Sequence, residues 1–260
     1  MLNKDIGKCI IFLVALFILG LVFEHSSYLK KELYKPAHAQ YTPPTYDSSE
    51  WFMAGANPQR TSHVDSTPEN QTEIKGNLNV EWYVPIEPYI PYYFPVIAAD
   101  DTLFISTARG LYTFNASDGS LDWVFPTELP LGHAPTVING IVYVGGLDHN
   151  LYALDEQTGA ELWRFIGEKG FMTNPLVIPV TFPDSSVQHI IYAGNRDGYL
   201  YAVYADGEKK GQLLWKYKTS ADIMFSPSTD PQNTTIYFAS NDSYAYALDS
   251  VTGSLKWQSA

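Results

Sequence analysis

The sequence predicts an all-β chain, a β-propeller of four-stranded blades with about four repeat units present. Three observations predict it. A tyrosine-rich strand pair followed by a turn and a tryptophan recurs along the chain. The tryptophans Trp82, Trp123, Trp163, Trp215 and Trp257 are separated by 41, 40, 52 and 42 residues. Beyond residue 40 no segment sustains a helical period, which disfavours a TIM barrel or a doubly wound sheet. A period near 40 with short strands is the spacing of a propeller blade. A β-sandwich could use such strands, but it does not explain four returns of one pattern at near-constant phase.

The clearest unit runs IVYVGGLDHNLYALDEQTGAELWRF from Ile141 to Phe165. Its strand Ile141-Val142-Tyr143-Val144 is nearly apolar on both faces, as expected for a strand packed between neighbouring sheets. A turn at Gly145 to Asn150 leads to the strand Leu151 to Leu154, whose small Ala153 leaves room where sheets crowd. Asp155 to Gly159 forms a second turn: the carboxylate accepts backbone N–H bonds and Gly159 takes a positive φ. The alternating strand Glu161 to Phe165 then aims Trp163 into the space between blades. The same turn recurs as Asn115 to Gly119 and Asp249 to Gly253. The long interval before Trp215 holds two additions, Pro179 to Gln188 and the enlarged turn Ala205 to Gln212. Prolines keep the same time, with Pro95, Pro135 and Pro175 each 40 apart, then Pro227.

Residues 1–39 form a separate unit. Lys4 and Lys8 precede fifteen uncharged residues, Cys9 to Phe23, the size of a signal-peptide core. Ala37-His38-Ala39 fits a cleavage site before Gln40, although Glu24 to Pro36 makes a long polar approach to it. An uncleaved anchor over Ile10 to Tyr28 is the alternative. Either outcome places the rest outside the cytoplasm: at the outer face of the cell membrane, in a periplasm, or outside the cell. Residues 40–80 read as a linker and opening propeller segment, and 81–260 as the repeats. Cys9 is the sole cysteine, so the exported part has no disulfide chemistry. Beyond residue 39 the chain holds 11 basic and 25 acidic residues, a formal charge of −14. Nucleic acid and anionic lipid are poor partners for such a surface.

The units resemble the quinoprotein-type propeller repeat, named for pyrroloquinoline quinone (PQQ). Val142-Tyr143-Val144-Gly145, Leu151-Tyr152-Ala153-Leu154-Asp155, Thr158-Gly159 and Trp163 carry the resemblance, as do Tyr246-Ala247-Leu248-Asp249, Thr252-Gly253 and Trp257. Trp51 to Thr61 looks like the opening segment of that superfamily. The resemblance implies a ring of seven or eight blades, of which this chain holds an incomplete part. Self-association of two half-rings and a compact four-bladed ring are the alternatives. The resemblance covers PQQ-dependent dehydrogenases, which use PQQ beside Ca²⁺, and also an assembly lipoprotein that binds protein partners and no quinone. No segment aligns with the cofactor or catalytic positions, and repeats by themselves set a fold, not an activity.

The leading expectation is therefore a non-catalytic extracytoplasmic scaffold that binds a protein or an envelope component, with no cofactor and no metal site. The alternative is a fragment of a PQQ- and Ca²⁺-dependent alcohol or sugar dehydrogenase. Tyr83, Tyr89, Tyr92 and Tyr93 lie in the proline-punctuated run Tyr83 to Phe94 and are candidate interface residues. Arg109 and Arg196, in turns of similar place but different register, are candidates for pairing with an acidic partner. His133, just ahead of Ala134-Pro135 at a strand entrance, reads as a satisfied hydrogen-bonding residue, with a channel-facing role as the alternative. Asp148-His149-Asn150 carries no metal-ligand spacing.

Overall fold

The computed structural model describes residues 53, 54, 60, 80–91 and 94–260. The expected export segment 1–39, most of the linker 40–80, and Tyr92 and Tyr93 lie outside the described residues. Among those described, no helix is long and apolar enough to cross a membrane.

The described chain folds into four antiparallel sheets, each with four strands in sequence order. Blade I comprises β1 (Ile97–Ala99), β2 (Thr102–Thr107), β3 (Gly110–Asn115) and β4 (Leu121–Pro126). Blade II comprises β5 (Thr136–Ile138), β6 (Ile141–Gly145), β7 (Asn150–Asp155) and β8 (Glu161–Ile166). Blade III comprises β9 (Leu176–Thr181), β10 (Val187–Gly194), β11 (Tyr199–Tyr204) and β12 (Leu213–Lys218). Blade IV comprises β13 (Ser228–Thr229), β14 (Thr235–Ala239), β15 (Ala245–Asp249) and β16 (Leu255–Ser259).

Burial follows the order of strands within a blade. The middle strands β6 and β7 are almost wholly buried, while the outer strand β8 is half exposed. Period-two alternation splits each middle strand between two interfaces. Val142 and Val144 face blade I, where they join Phe104, Leu111 and Ile97. Tyr143 faces blade III, with Ile191, Ala193 and Val203. A third core joins blades III and IV through Tyr192, Leu200, Ile236 and Leu248, and takes in Met53 from the opening segment. The near-continuous apolar strands of the sequence are thus apolar because both faces are covered.

Each outer strand carries the same register shift. It falls between Tyr112 and Phe114, Ala153 and Leu154, Ala202 and Val203, and Ala247 and Leu248. A bulge at one place in every blade re-aims the outer strand. In three blades the residue beside it is alanine, paired with the tryptophan: Ala153 with Trp163, Ala202 with Trp215, Ala247 with Trp257. Blade I has Thr113 there, and its hydroxyl donates to Trp123 O at 3.0 Å.

The tryptophans join blade to blade. The Trp123 ring of blade I lies on Gly159 of blade II, and Trp215 of blade III lies on Gly253 of blade IV. Trp123 Nε1 donates to Glu156 O at 2.9 Å, and Trp215 Nε1 to Ser250 O at 3.0 Å. Trp163 sits on Gly211 more loosely, because the turn that receives it is the enlarged one. Trp82 belongs to none of the four sheets, yet it docks in the same manner: its ring covers Gly119 and its Nε1 donates to Ala116 O at 3.0 Å. Around it Glu81, Tyr83, Pro85 and Glu87 are exposed while Trp82, Val84 and Ile86 turn inward, the alternation of an outer strand.

Candidate functional site

The turns that carry the repeat's acidic residues hold themselves together. Asp148 Oδ2 accepts from Tyr152 Oη at 2.6 Å, Asp197 Oδ2 from Tyr201 Oη at 2.5 Å, and Asp242 Oδ2 from Tyr246 Oη at 2.7 Å. Burial, the bonded carboxylate and its charge push these three phenols above the ordinary tyrosine range. Blade I has Ala108 where the others have aspartate. His149 occupies a left-handed position, φ 73°, matching Gly198 and Ser243 in the turns of blades III and IV. These residues shape turns, and among the described residues no group of three or more His, Cys, Asp or Glu converges to hold a metal ion. Cys9, the single cysteine of the sequence, leaves no pair for a vicinal disulfide within these 260 residues.

Of the predicted interface residues, Tyr83, Tyr89, Arg109 and Arg196 are described and exposed, and Tyr92 and Tyr93 lie outside the described residues. Tyr83 and Tyr89 are exposed, at 67% and 66%. Tyr89 anchors its loop by its backbone, with its carbonyl accepting from Ala108 N at 2.8 Å, so its ring is free to face outward. Arg109 is exposed in the β2–β3 turn. Arg196 is exposed in the β10–β11 turn, with Nε 3.6 Å from Asp222 Oδ2. Arg196 precedes its turn aspartate and Arg109 follows the position of one, so the two are not structurally equivalent.

A polar corner forms instead at the inner end of blades II to IV, where Ala134-Pro135, Asn174-Pro175 and Ser226-Pro227 lead into β5, β9 and β13. The fully buried Asn174 is its hub. Asn174 Nδ2 donates to Ala134 O at 2.8 Å, Pro135 O at 2.9 Å and Thr136 Oγ1 at 3.2 Å. Its backbone N donates to Ser226 Oγ at 2.9 Å. Arg60 of the opening segment reaches the same hub: Nη1 donates to Asn174 Oδ1 at 2.8 Å and to Ala54 O, Nη2 to Asn174 O at 3.2 Å, and Nε to Pro227 O at 2.6 Å. Burial pulls the guanidinium down to about 10, which leaves it cationic at neutral pH. His133 stands beside this group, its ring 5.1 Å from that of Phe94. Burial and the charge of Arg60 press its imidazole down to about 4. Its Nδ1 is buried without a hydrogen-bond partner.

The proline rhythm and the entrance position of His133 were legible in the sequence. The roles of Arg60 and Asn174 were not. Each is one unrepeated residue, and their meeting spans 114 positions.

Comparison with known proteins agrees with this architecture. The chain is 27% identical to tetrathionate hydrolase of Acidithiobacillus ferrooxidans over 244 residues, which is 85% of this chain and 45% of that one. It superposes on quinohemoprotein alcohol dehydrogenase ADHIIG of Pseudomonas putida HK5 with a TM-score of 0.63 at 16% identity, covering 81% of this chain and 40% of that one. It superposes on BamB of Moraxella catarrhalis with a TM-score of 0.50 at 19% identity, covering 64% of this chain and 47% of that one. At these identities the two solved structures show a shared propeller fold. The chain thus spans less than half the length of each of these proteins. The family model described as outer membrane protein assembly factor BamB matches residues 90–223, more than half of the chain, and the chain belongs to that family of PQQ-type propeller repeats.

Proposed function

We propose that this chain is a non-catalytic propeller scaffold outside the cytoplasm, which binds a protein or an envelope component. The match to the assembly-factor family carries the reading, and blade IV offers a candidate contact face. Trp257 on β16 occupies the place of Trp123, Trp163 and Trp215, but it is 47% exposed and all five residues of β16 are exposed. Its internal counterparts define what fits there. Tyr192 Oη and Trp215 Nε1 of blade III both donate to Ser250 O of blade IV, at 2.9 and 3.0 Å, above Gly253. Tyr237 and Trp257 form the same ring pair, 6.1 Å apart. The fitting occupant is therefore a turn that presents a carbonyl and a glycine of positive φ, on a further blade of the same repeat, on a second copy or on another protein. The family's description as an assembly factor supports a protein partner and an envelope setting. Residues 1–39 would supply the export signal or the anchor.

The relation to tetrathionate hydrolase, which extends over 85% of this chain, favours a second reading. In that reading the chain is part of an enzyme, acting on tetrathionate or, as the resemblance of its repeats to quinoprotein dehydrogenases implies, using PQQ and Ca²⁺ to oxidise an alcohol or a sugar. Incubation of the folded chain with tetrathionate, and calorimetric titration with PQQ with and without Ca²⁺, separates the two. The scaffold reading expects neither turnover nor saturable binding. Tetrathionate consumption, or Ca²⁺-dependent one-to-one binding of PQQ, would overturn it.

A further inference from the structure

We propose that the corner formed by Arg60 and His133 at the inner end of blades II to IV is a binding site for a small oxyanion. This goes beyond the scaffold reading and does not depend on it.

Arg60 carries a charge that the described residues do not offset. A guanidinium removed from water is costly unless it is paired. Among the described residues, the acceptors that surround Arg60 are Ala54 O, Pro227 O, Asn174 O and Asn174 Oδ1, and each is neutral. These bonds use four of the five guanidinium N–H groups and leave one on Nη2. They hold the fork in place without cancelling its charge.

The second observation is independent of the first. His133 Nδ1 is buried and unpartnered. A buried ring nitrogen of this kind is uncommon and calls for a partner. It stands within the electrostatic reach of Arg60, on an imidazole fixed against Phe94. Asn174 does not turn to serve Nδ1, because its amide nitrogen already donates to Ala134 O, Pro135 O and Thr136 Oγ1 and its amide oxygen accepts from Arg60.

An oxyanion answers both needs. One oxygen accepts from the remaining Nη2 hydrogen, and another accepts from Nδ1 when that nitrogen carries the proton. The negative charge offsets the guanidinium in a medium where such pairs are strong. A cation is repelled by Arg60, and a neutral ligand leaves its charge unbalanced. A bound anion also ties the opening segment to blades II to IV, since Arg60 and His133 come from those separate parts.

The test is isothermal titration of the full chain with sulfate, thiosulfate and acetate, each against chloride at matched ionic strength. Saturable one-site binding is expected, and the preferred probe distinguishes an inorganic oxyanion from a carboxylate. Arg60→Gln should abolish binding. His133→Phe keeps a ring beside Phe94, removes Nδ1, and should weaken binding on the order of tenfold. If Arg60→Gln does not fold, His133→Phe carries the test. Heats that fail to saturate for all three anions in the folded wild-type chain overturn the proposal. So does an affinity that His133→Phe leaves unchanged.

Discussion

The Trp123 ring of blade I lies so close to Gly159 of blade II that a Cβ at Gly159 would come within 2.4 Å of Trp123 Cε3. Gly159 has φ 69°, and Trp123 Nε1 donates to Glu156 O three residues earlier. Glycine is needed there twice, for its backbone conformation and for the bare face it offers the indole.

Gly140 separates the two requirements. It has φ 74°, but nothing lies within 4 Å of the position a Cβ would take. Gly140→Ala should cost only the backbone strain, about 1 kcal/mol. Gly159→Ala should cost that and the displaced ring, about 2–4 kcal/mol in all. Denaturant unfolding of the two variants checks this, and equal losses would deny the ring contact its role.

The tyrosines set the alkaline limit of stability. Burial raises Tyr143, Tyr152, Tyr192, Tyr201 and Tyr246, with further contributions from nearby carboxylates such as Asp197 and Asp242. A phenol raised in the folded state contributes stability that is whole below the unfolded value, about 10, and is lost as pH rises beyond it. Unfolding midpoints should therefore fall steeply above about pH 10. Tyr192→Phe should make that fall shallower, which urea unfolding across the alkaline range will show.

His133 acts on the acid side. Its folded value of about 4 lies below that of an unfolded histidine, so the folded state resists the proton. Its contribution is intact above about pH 6.5 and is lost as pH falls towards the folded value. His133→Phe should flatten the stability profile between those limits. An unchanged slope would mean that the imidazole takes up its proton as readily in the folded chain as in the unfolded one.

Asn174 should be the least replaceable polar residue of the inner corner. Asn174→Ala leaves Ala134 O, Pro135 O and the Arg60 fork without their partner, a loss of about 2–4 kcal/mol. Thermal unfolding measures it, and a change of a few tenths would contradict the hub assignment.

Much of the fold was legible because it repeats. The Asp155-to-Gly159 turn, Ala153 and Trp163 each returned in other blades, so one physical reading served several times. The outer-strand bulge was hidden, since it is a matter of register and no residue type announces it. Trp82 is the first member of the tryptophan series in the sequence. Its docking on Gly119 agrees, but its segment belongs to none of the four sheets. The candidate site was poorly legible for the opposite reason. Arg60, His133 and Asn174 occur once each, and their chemistry depends on which carbonyls the blades bring together.

The most direct test of the scaffold reading is site-specific photo-cross-linking in the producing cell. A photoreactive residue replaces Leu255 on the open side of blade IV, and in a control replaces Leu129, which is comparably exposed in the loop between blades I and II. The account predicts a discrete protein adduct from position 255 in the envelope fraction, and none of that size from 129. It also predicts loss of the adduct when Trp257 becomes lysine. Equal labelling from both positions, or an adduct indifferent to Trp257→Lys, would contradict the claim that blade IV offers the contact face for a partner.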